Sequence, residues 1–402
     1  MEAWLQQWLS LLLRWAHFIT GVAWIGASFY FNWLENHLQR RLVTEDSQDP
    51  IAGDLWAVHG GGFYYLQKFR VAPAHLPETL HWFKYEAYFT WLSGFALLLV
   101  VYYWNASMYL LDPAVSAISP AQAIALGLAS LLASWLVYDG LCRSPLRRRP
   151  LLLGILIFVW FALLAFMLTG FLSGRAAYIH VGAAIGSVMV ANVFFVIIPA
   201  QKHLVAALLA GQQPHATQGL NALLRSRHNN YLTLPVLFMM IANHYPATYG
   251  SRYNWLVLLV FSLAAVGIRH WFNVRHLRNY QRWILPASVL LLISLMLATL
   301  PVNRTTTAAR AAALPSTVDI MPLIQRRCVG CHASQPSISG FTAPPLGVAF
   351  DDMQQVENQA QRIYQVAVAT RSMPLGNMTG MREDERELLA QWYAAQLKKN
   401  SE

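Results

Sequence analysis

The sequence predicts an all-α protein in which eight membrane-spanning helices are followed by a small soluble domain. Of the 402 residues, 56% are hydrophobic and only 12% are charged, whereas a soluble globular chain carries about 25% charged residues. The missing polar surface indicates that much of the chain faces lipid. Fifteen Trp and seventeen Tyr residues fit this class, because both side chains concentrate at membrane interfaces. This composition excludes a soluble enzyme, a disordered chain and a disulfide scaffold.

Eight apolar stretches are long enough to cross the hydrocarbon core as helices, which takes about 20 residues. No basic segment precedes the first stretch, and it is too long for a cleaved signal peptide, so we expect it to be retained. The segment 51–66 is also apolar, but it carries Asp54, His59 and three consecutive glycines, which favour a loop or surface element. The predicted spans are 8–34, 83–104, 118–141, 151–172, 177–200, 231–249, 253–275 and 282–301.

The loops between the spans predict the orientation of the bundle. The loops that follow spans 1, 3, 5 and 7 carry 14 Lys and Arg residues, whereas the other loops carry only Arg175 and Arg252. Because basic loops stay on the cytoplasmic side, both termini are expected outside the cytoplasm. The sequence therefore predicts a multi-pass protein of a bacterial inner membrane with periplasmic termini.

The chain changes character after the last span. Residues 302–315 are rich in Thr and Ala and are interpreted as a linker between a membrane domain, 1–301, and a soluble domain, 316–402. The soluble domain has 8 basic and 9 acidic residues, so the net charge of +10 comes from the membrane domain. Basic charge between hydrophobic spans reflects topology and does not indicate nucleic-acid binding. An amphipathic helix is predicted at 382–398.

Two of the three cysteines stand three positions apart in the run Cys328-Val329-Gly330-Cys331-His332. In an exported domain this pattern is typical of covalent haem attachment, in which each thiol binds one vinyl group. The adjacent His332 is then the first axial ligand of the iron. A zinc half-site and a redox dithiol are the alternatives, but zinc needs a second Cys/His pair and the domain has no further cysteine.

The second axial ligand is expected in a methionine-rich loop before the last helix. Met373, Met378 and Met381 lie there, and Pro374 favours an extended loop after Met373. We therefore predict Met373 as the ligand, with Met378 as the second candidate and a core-filling role for at least one of the three. The whole segment from Pro315 onwards resembles a class I monohaem cytochrome c in its motifs and its length.

Histidines within the spans are candidates for a second haem. His17, His180 and His244 fall in the outer halves of spans 1, 5 and 6. Two imidazoles on facing helices can hold a b-type haem in a bundle core. The alternative is that each histidine forms a hydrogen bond to a neighbouring helix, which is the commoner role of a lone membrane histidine.

Six segments of the membrane domain carry a resemblance to a known family. They are Arg14-Trp15-Ala16-His17-Phe18, Trp24-Ile25-Gly26, His81-Trp82-Phe83-Lys84-Tyr85-Glu86-Ala87-Tyr88, Ile179-His180-Val181-Gly182-Ala183, His228-Asn229-Asn230-Tyr231-Leu232-Thr233-Leu234-Pro235 and Asn243-His244-Tyr245-Pro246. With these segments the chain resembles the PuuD-type membrane urate hydroxylases, also called cytochrome c urate oxidases. The resemblance spans the chain and implies oxidation of urate to 5-hydroxyisourate, with water supplying the oxygen. It also implies that electrons leave through the cytochrome domain to a cytochrome c or terminal oxidase.

Urate is a planar monoanion, so its site should offer a cation, hydrogen-bond partners, an apolar face and a base. The cytoplasmic side of the bundle supplies most such groups. We expect the catalytic residues among His59, Lys84, Glu86 and His228. Lys84 and Glu86 are equally consistent with anchors at the membrane interface. Further polar and aromatic candidates there are Phe63, Tyr64, Lys68, His81, Asn229 and Asn230.

Two other functions compete with urate oxidation. A respiratory electron-transfer subunit would pass electrons from quinol or another donor to the cytochrome domain, through histidine pairs near both membrane faces. A transporter or sensor with a redox-reporting domain would show inverted repeats and broken helices, and no clear repeat is present. The electron-transfer subunit is therefore the main alternative.

Overall fold

The computed structural model describes residues 1–40, 50–70, 73, 75–212, 216–251, 253–277, 279–300, 315–338, 341 and 343–399. Within these residues the fold is all-α, as predicted, with one small antiparallel sheet. Almost all of the predicted linker, 302–315, lies outside the described residues. Residues 315–399 form a separate helical unit with its own hydrophobic core.

Every predicted span coincides with a helix. Six helical segments of the described chain are long and apolar enough to cross a membrane, which is compatible with a multi-pass membrane protein. The remaining two, α8 and α11, are a partly polar helix and a 15-residue apolar helix. The helices are α1 (Glu2–His37), α2 (Tyr85–Leu97), α3 (Ala106–Tyr109), α4 (Pro120–Arg143), α5 (Pro150–Thr169), α6 (Gly174–Ala191), α7 (Ile198–Leu209), α8 (Ala216–Ala242), α9 (Pro246–Tyr249), α10 (Asn254–Val274) and α11 (Ile284–Ala298).

Helix α6 is the centre of the bundle. It packs against α4, α5 and α8, and most of its side chains are buried, including Tyr178, His180 and Val188. Its first turn is capped by the Ser173 hydroxyl, which accepts the N–H of Ala176. A helix buried on most of its circumference can carry polar residues only where neighbouring helices supply partners. Polar side chains of α6 therefore mark the interior sites of the bundle.

Helix α5 shows the opposite pattern, with one face in the bundle and one towards lipid. Its buried residues recur every three or four positions, as in Leu153, Ile157 and Phe161. The intervening residues Ile155, Val159 and Leu163 are exposed although all are apolar. Apolar residues on every face are expected for a helix whose outer surface contacts hydrocarbon.

Two helices continue into π-helical turns at places where polar side chains enter the core. Helix α2 continues as Leu98–Tyr103, and α6 continues as Asn192–Ile197 before α7 begins. Such π-helical turns occur frequently at functional sites. The first carries Tyr102 and Tyr103, and the second begins at Asn192, all of which form hydrogen bonds inside the bundle.

The segment 51–66, which we excluded as a span, belongs to a β-hairpin. Strands β2 (Ile51–His59) and β3 (Gly62–Phe69) pair antiparallel, and β1 (Gln39–Arg40) pairs with β2. Gly60 and Gly61 form the turn with φ of 57° and 81°, which glycine adopts without strain. The sequence analysis expected a loop or surface element here, because it relied on Asp54, His59 and the three glycines, and it did not predict the strands.

The C-terminal unit contains α12 (Thr317–Arg327), α13 (Met353–Asn358), α14 (Ala360–Ile363) and α15 (Glu383–Lys399). Helix α15 matches the predicted helix at 382–398 within one residue at each end. It packs on α12, and the fully buried Trp392 donates from Nε1 to the Thr317 hydroxyl at 3.3 Å. The closing helix is therefore fixed to the helix that leads into Cys328.

Candidate functional site

The bundle contains a buried polar network between α4, the π-helical turn after α6, and α8. Asn192 donates to the hydroxyl of Tyr138 at 2.9 Å and to the Asn229 side chain at 2.8 Å. The Tyr138 hydroxyl also lies 2.9 Å from Nδ1 of His228, and Arg225 donates to Asn192 at 3.2 Å. Asn229 closes the network by donating to the Met189 carbonyl. Mutual hydrogen bonds thus offset the cost of burying these groups.

The charge of this network is balanced within the chain. Arg225 forms an ion pair of 2.5 Å with Asp139, which also pairs with Arg143 at 2.6 Å. A cleft opens beside Arg225 and continues into a second one, with volumes of about 310 and 330 Å³. The residues that line the first cleft are Cys142, Arg143, Arg147, Phe195, Val196, Ala200, His203, Gln218, Asn221 and Arg225. This cleft reaches the network at Arg225.

A second buried polar group lies on the other side of α8. Arg269 of α10 donates from Nε to the Asn230 side-chain oxygen, and its guanidinium lies 3.9 Å from the ring centre of Phe29 in α1. Asn230 in turn donates to Asn273 at 3.3 Å. The Nη2 group of Arg269 has no hydrogen-bond partner among the described residues. The sequence analysis did not single out Arg269, although a lone arginine within a predicted span is an available signal.

The four predicted catalytic residues do not form one cluster and lie in three different parts of the molecule. His228 lies in the buried network with Tyr138. His59 is exposed at the hairpin tip, where open space surrounds Gly60 and Gly61. Lys84 precedes α2 and lies 4.9 Å from the Tyr85 ring centre, while Glu86 lies in the first turn of that helix. Of the four, only His228 is held inside a polar interior site.

His17 and His180 lie against different parts of the segment 85–103, at Thr90 and Tyr103 respectively. Nδ1 of His17 lies 2.9 Å from the Thr90 carbonyl, and a methyl group at Gly94 would lie 2.9 Å from the imidazole. His180 has partners at both nitrogens, the Ala176 carbonyl at 2.8 Å and the Tyr103 hydroxyl at 3.1 Å.

His244 completes the predicted set of outer histidines, and it is exposed in the turn after α8. An axial haem ligand needs a free nitrogen that faces the iron, and neither His180 nor the exposed His244 provides one in the bundle core. The described hydrogen bonds of His17 involve only Nδ1, so a haem b in the bundle stays a prediction.

The C-terminal unit presents the donor set of a c-type haem. Cys328 ends α12, and Cys331 and His332 follow in the next turn, where the His332 N–H donates to the Cys328 carbonyl. Nδ1 of His332 lies 2.9 Å from the Val348 carbonyl, which leaves Nε2 for a metal. Both thiols are free, and burial raises the pKa of Cys328 to about 12. A raised thiol pKa is opposite to that of a reactive dithiol, so these residues fit haem attachment better.

The methionine loop is fixed by one buried arginine. Arg386 of α15 donates to the carbonyls of Ala367 and Met373, and the latter hydrogen bond measures 2.9 Å. Met381 is 4% exposed and belongs to the hydrophobic core, so it is the core-filling methionine of the three. Met373 and Met378 are half-buried and remain the two candidates for the axial position.

The methionine loop also contacts the bundle. A methyl group at Gly376 would lie 2.5 Å from the Met108 carbonyl and 2.8 Å from that of Leu111. Burial raises the pKa of the neighbouring Asp112, while the Ala114 N–H and the charge of Arg386 oppose this shift. The C-terminal unit therefore docks on α3 and the residues that follow it, at the same end of the bundle as the Tyr103 partner of His180.

Fold and site together define an all-α helical bundle with six candidate membrane spans, buried polar centres and a docked C-terminal unit. Residues 3–300 match the family model described as urate oxidase N-terminal, so the chain belongs to this family. Membership makes the protein a urate-related oxidoreductase. No curated protein and no solved structure matches the chain.

Proposed function

We propose that the protein oxidises urate within the membrane domain and releases the electrons through a haem c in the C-terminal unit. Urate and water give 5-hydroxyisourate, two protons and two electrons, and water supplies the new oxygen atom. Family membership supports the substrate, and the CxxCH donor set supports the electron exit. The observation that carries the proposal is the direct docking of the methionine loop on the bundle at Gly376.

A c-type haem would supply one-electron acceptance when bound to Cys328, Cys331 and His332. The chain itself holds the surroundings of that group in place. The Val348 carbonyl orients the His332 ring, and Arg386 holds the carbonyl of Met373. In the bundle, His228 lies within the buried network of Tyr138, and its catalytic role stays a prediction. His59, Lys84 and Glu86 stay predictions.

Met373 is the proposed axial ligand, and a substitution separates it from Met378. Met373→Ala is expected to keep the covalent haem but to lose the long-wavelength absorption band of a methionine–iron bond, because the thioether is removed. The matched control is Met378→Ala, which should retain the band. Loss of the band in Met378→Ala and not in Met373→Ala would transfer the role to Met378.

The proposal places the C-terminal unit in the periplasm of a bacterial inner membrane. A reporter active only outside the cytoplasm should therefore work when fused at residues 112 or 250, and fail at 147 or 212. This pattern follows from the basic loops after spans 1, 3, 5 and 7. The reverse pattern would put the CxxCH motif in the cytoplasm and remove the basis for haem attachment.

The electron acceptor is proposed to be a cytochrome c or a terminal oxidase. Purified protein mixed with urate and oxidised cytochrome c in the absence of O₂ should reduce two acceptor molecules per urate consumed. The alternative function, electron transfer from quinol without urate chemistry, predicts reduction by a quinol and none by urate. The two donors in parallel assays therefore separate the two proposals.

A further inference from the structure

Arg269 is a buried cation that has no carboxylate partner among the described residues. It lies five residues before the end of α10, at the cytoplasmic end in the predicted orientation, and its exposed fraction is 7%. Its Nε donates to Asn230, but Nη2 has no partner among the described residues. Among the described residues, no carboxylate interacts electrostatically with its guanidinium. A buried polar group with no partner in a native structure indicates an absent water, ion or ligand.

The other buried arginines of the described chain are compensated. Arg225 is 4% exposed and pairs with Asp139 at 2.5 Å. Arg386 is 6% exposed and donates to two carbonyls and to the Asn377 side chain. An uncompensated buried charge is strongly destabilising, so the contrast with Arg269 requires an explanation. The charge of Arg225 is neutralised by Asp139, whereas Nη2 of Arg269 is left without a partner among the described residues and is available to a ligand.

The surroundings of Arg269 fit a planar organic anion. The guanidinium carbon lies 3.9 Å from the Phe29 ring centre, and the hydrogens of Nη2 lie in the plane of the guanidinium group. Asn230 and Asn273 place amide groups beside it. One guanidinium without a carboxylate partner among the described residues matches a ligand with one negative charge. The N–H donors of the guanidinium lie in one plane, so they suit a flat ligand that has oxygen atoms at its edge.

We propose that Arg269 binds the urate monoanion in the bundle. Asn230 orients the Arg269 guanidinium by accepting a hydrogen bond from Nε, and the Phe29 ring packs against the guanidinium. This inference rests on the proposed function, and it identifies the residue that recognises the charge of the substrate. It places the substrate between α1, α8 and α10, on the face of α8 opposite the balanced network of Arg225.

Binding without turnover tests the proposal directly. The purified full-length protein is first reduced with dithionite so that urate cannot pass electrons to it, and urate binding is then measured by calorimetry. Arg269→Gln is expected to weaken urate binding at least about 30-fold, because it removes one partner of a buried charge interaction. Arg269→Lys keeps the charge but not the planar donors, and it should restore part of the affinity.

The matched control is Arg275→Gln. Arg275 lies just after the same helix and its guanidinium also lies over aromatic rings, those of Trp271 and Phe272, but it is exposed. This variant should bind urate like the unmodified protein. Equal losses in both variants would mean that the effect comes from the general charge of this end of the bundle, and would overturn the proposal.

A second variant covers the case in which Arg269→Gln does not fold. Asn230→Asp supplies a carboxylate to Arg269 from within the chain, and should raise the melting temperature without ligand while it lowers urate affinity. Unchanged affinity in this variant would overturn the proposal. Stabilisation of the unmodified protein by chloride to the same extent as by urate would also overturn it, since the site would then hold any small anion.

The test separates this inference from the proposed function. If the unmodified protein neither binds urate nor is reduced by it, the proposed function itself fails. If the unmodified protein oxidises urate and Arg269→Gln binds urate equally well, only the role of Arg269 fails.

Discussion

Replacing both Cys328 and Cys331 by alanine is expected to remove all covalent haem from the polypeptide and to abolish electron release from urate. Each thioether requires its own sulfur, and the described chain offers the haem no other pair of thiols at this spacing. Haem-dependent peroxidase staining of denaturing gels measures the covalent group, and acceptor reduction by urate measures the electron flow.

The third cysteine provides a matched control for haem attachment. Cys142 is buried in the bundle, far along the chain from the CxxCH motif, so Cys142→Ala should stain as strongly as the unmodified protein. Covalent haem on the protein that lacks both Cys328 and Cys331 would contradict the assignment of these residues. If the unmodified protein stains for haem but urate drives no electron flow, the haem assignment would stand and the proposed electron transfer from urate to this haem would be wrong.

The second large effect concerns docking of the C-terminal unit. Gly376→Ala is expected to slow urate-driven haem reduction about tenfold or more, the change that about 1.4 kcal/mol produces in a rate. Gly376 has φ of 56°, and a methyl group there would overlap the carbonyls of Met108 and Leu111 in the bundle. The added atom should therefore push the methionine loop away from the bundle.

Gly347→Ala separates backbone strain from docking. Gly347 also has a positive φ, 69°, but nothing lies within 4 Å of its added methyl group. It should carry a similar strain, about 1–2 kcal/mol, without a change in urate-driven reduction. Rapid mixing with urate followed by haem absorbance measures both variants. Equal rates in Gly376→Ala and the unmodified protein would show that this contact does not govern electron exit.

The sequence predicted the helices well because the length of a membrane span is set by the bilayer. It did not predict their full extent. Helix α8 begins at Ala216 rather than at 231, since its first half is polar and hydropathy detects only the part that faces hydrocarbon. The hairpin at Ile51–Phe69 was missed for a related reason, because its aromatic residues and glycines carry no helical or membrane signal.

The candidate site was less accessible to sequence reasoning because it depends on partners from distant segments. The CxxCH motif is local and could be interpreted directly. By contrast, the two partners of His180 come from α6 and from the π-helical turn after α2, so its lack of a free nitrogen could not be foreseen. A ligand-binding role for Arg269 could be inferred only from the structure, in which its Nη2 has no hydrogen-bond partner among the described residues, whereas Arg225 pairs with Asp139.

The central claim is that urate bound in the membrane domain reduces the haem of the C-terminal unit of the same chain. The most direct measurement is the absorption spectrum of the purified, oxidised protein mixed with urate in the absence of O₂ and of any other acceptor. The account predicts that the haem c bands change to those of the reduced form, and that 5-hydroxyisourate appears. A haem that stays oxidised with urate but is reduced by dithionite would contradict the account.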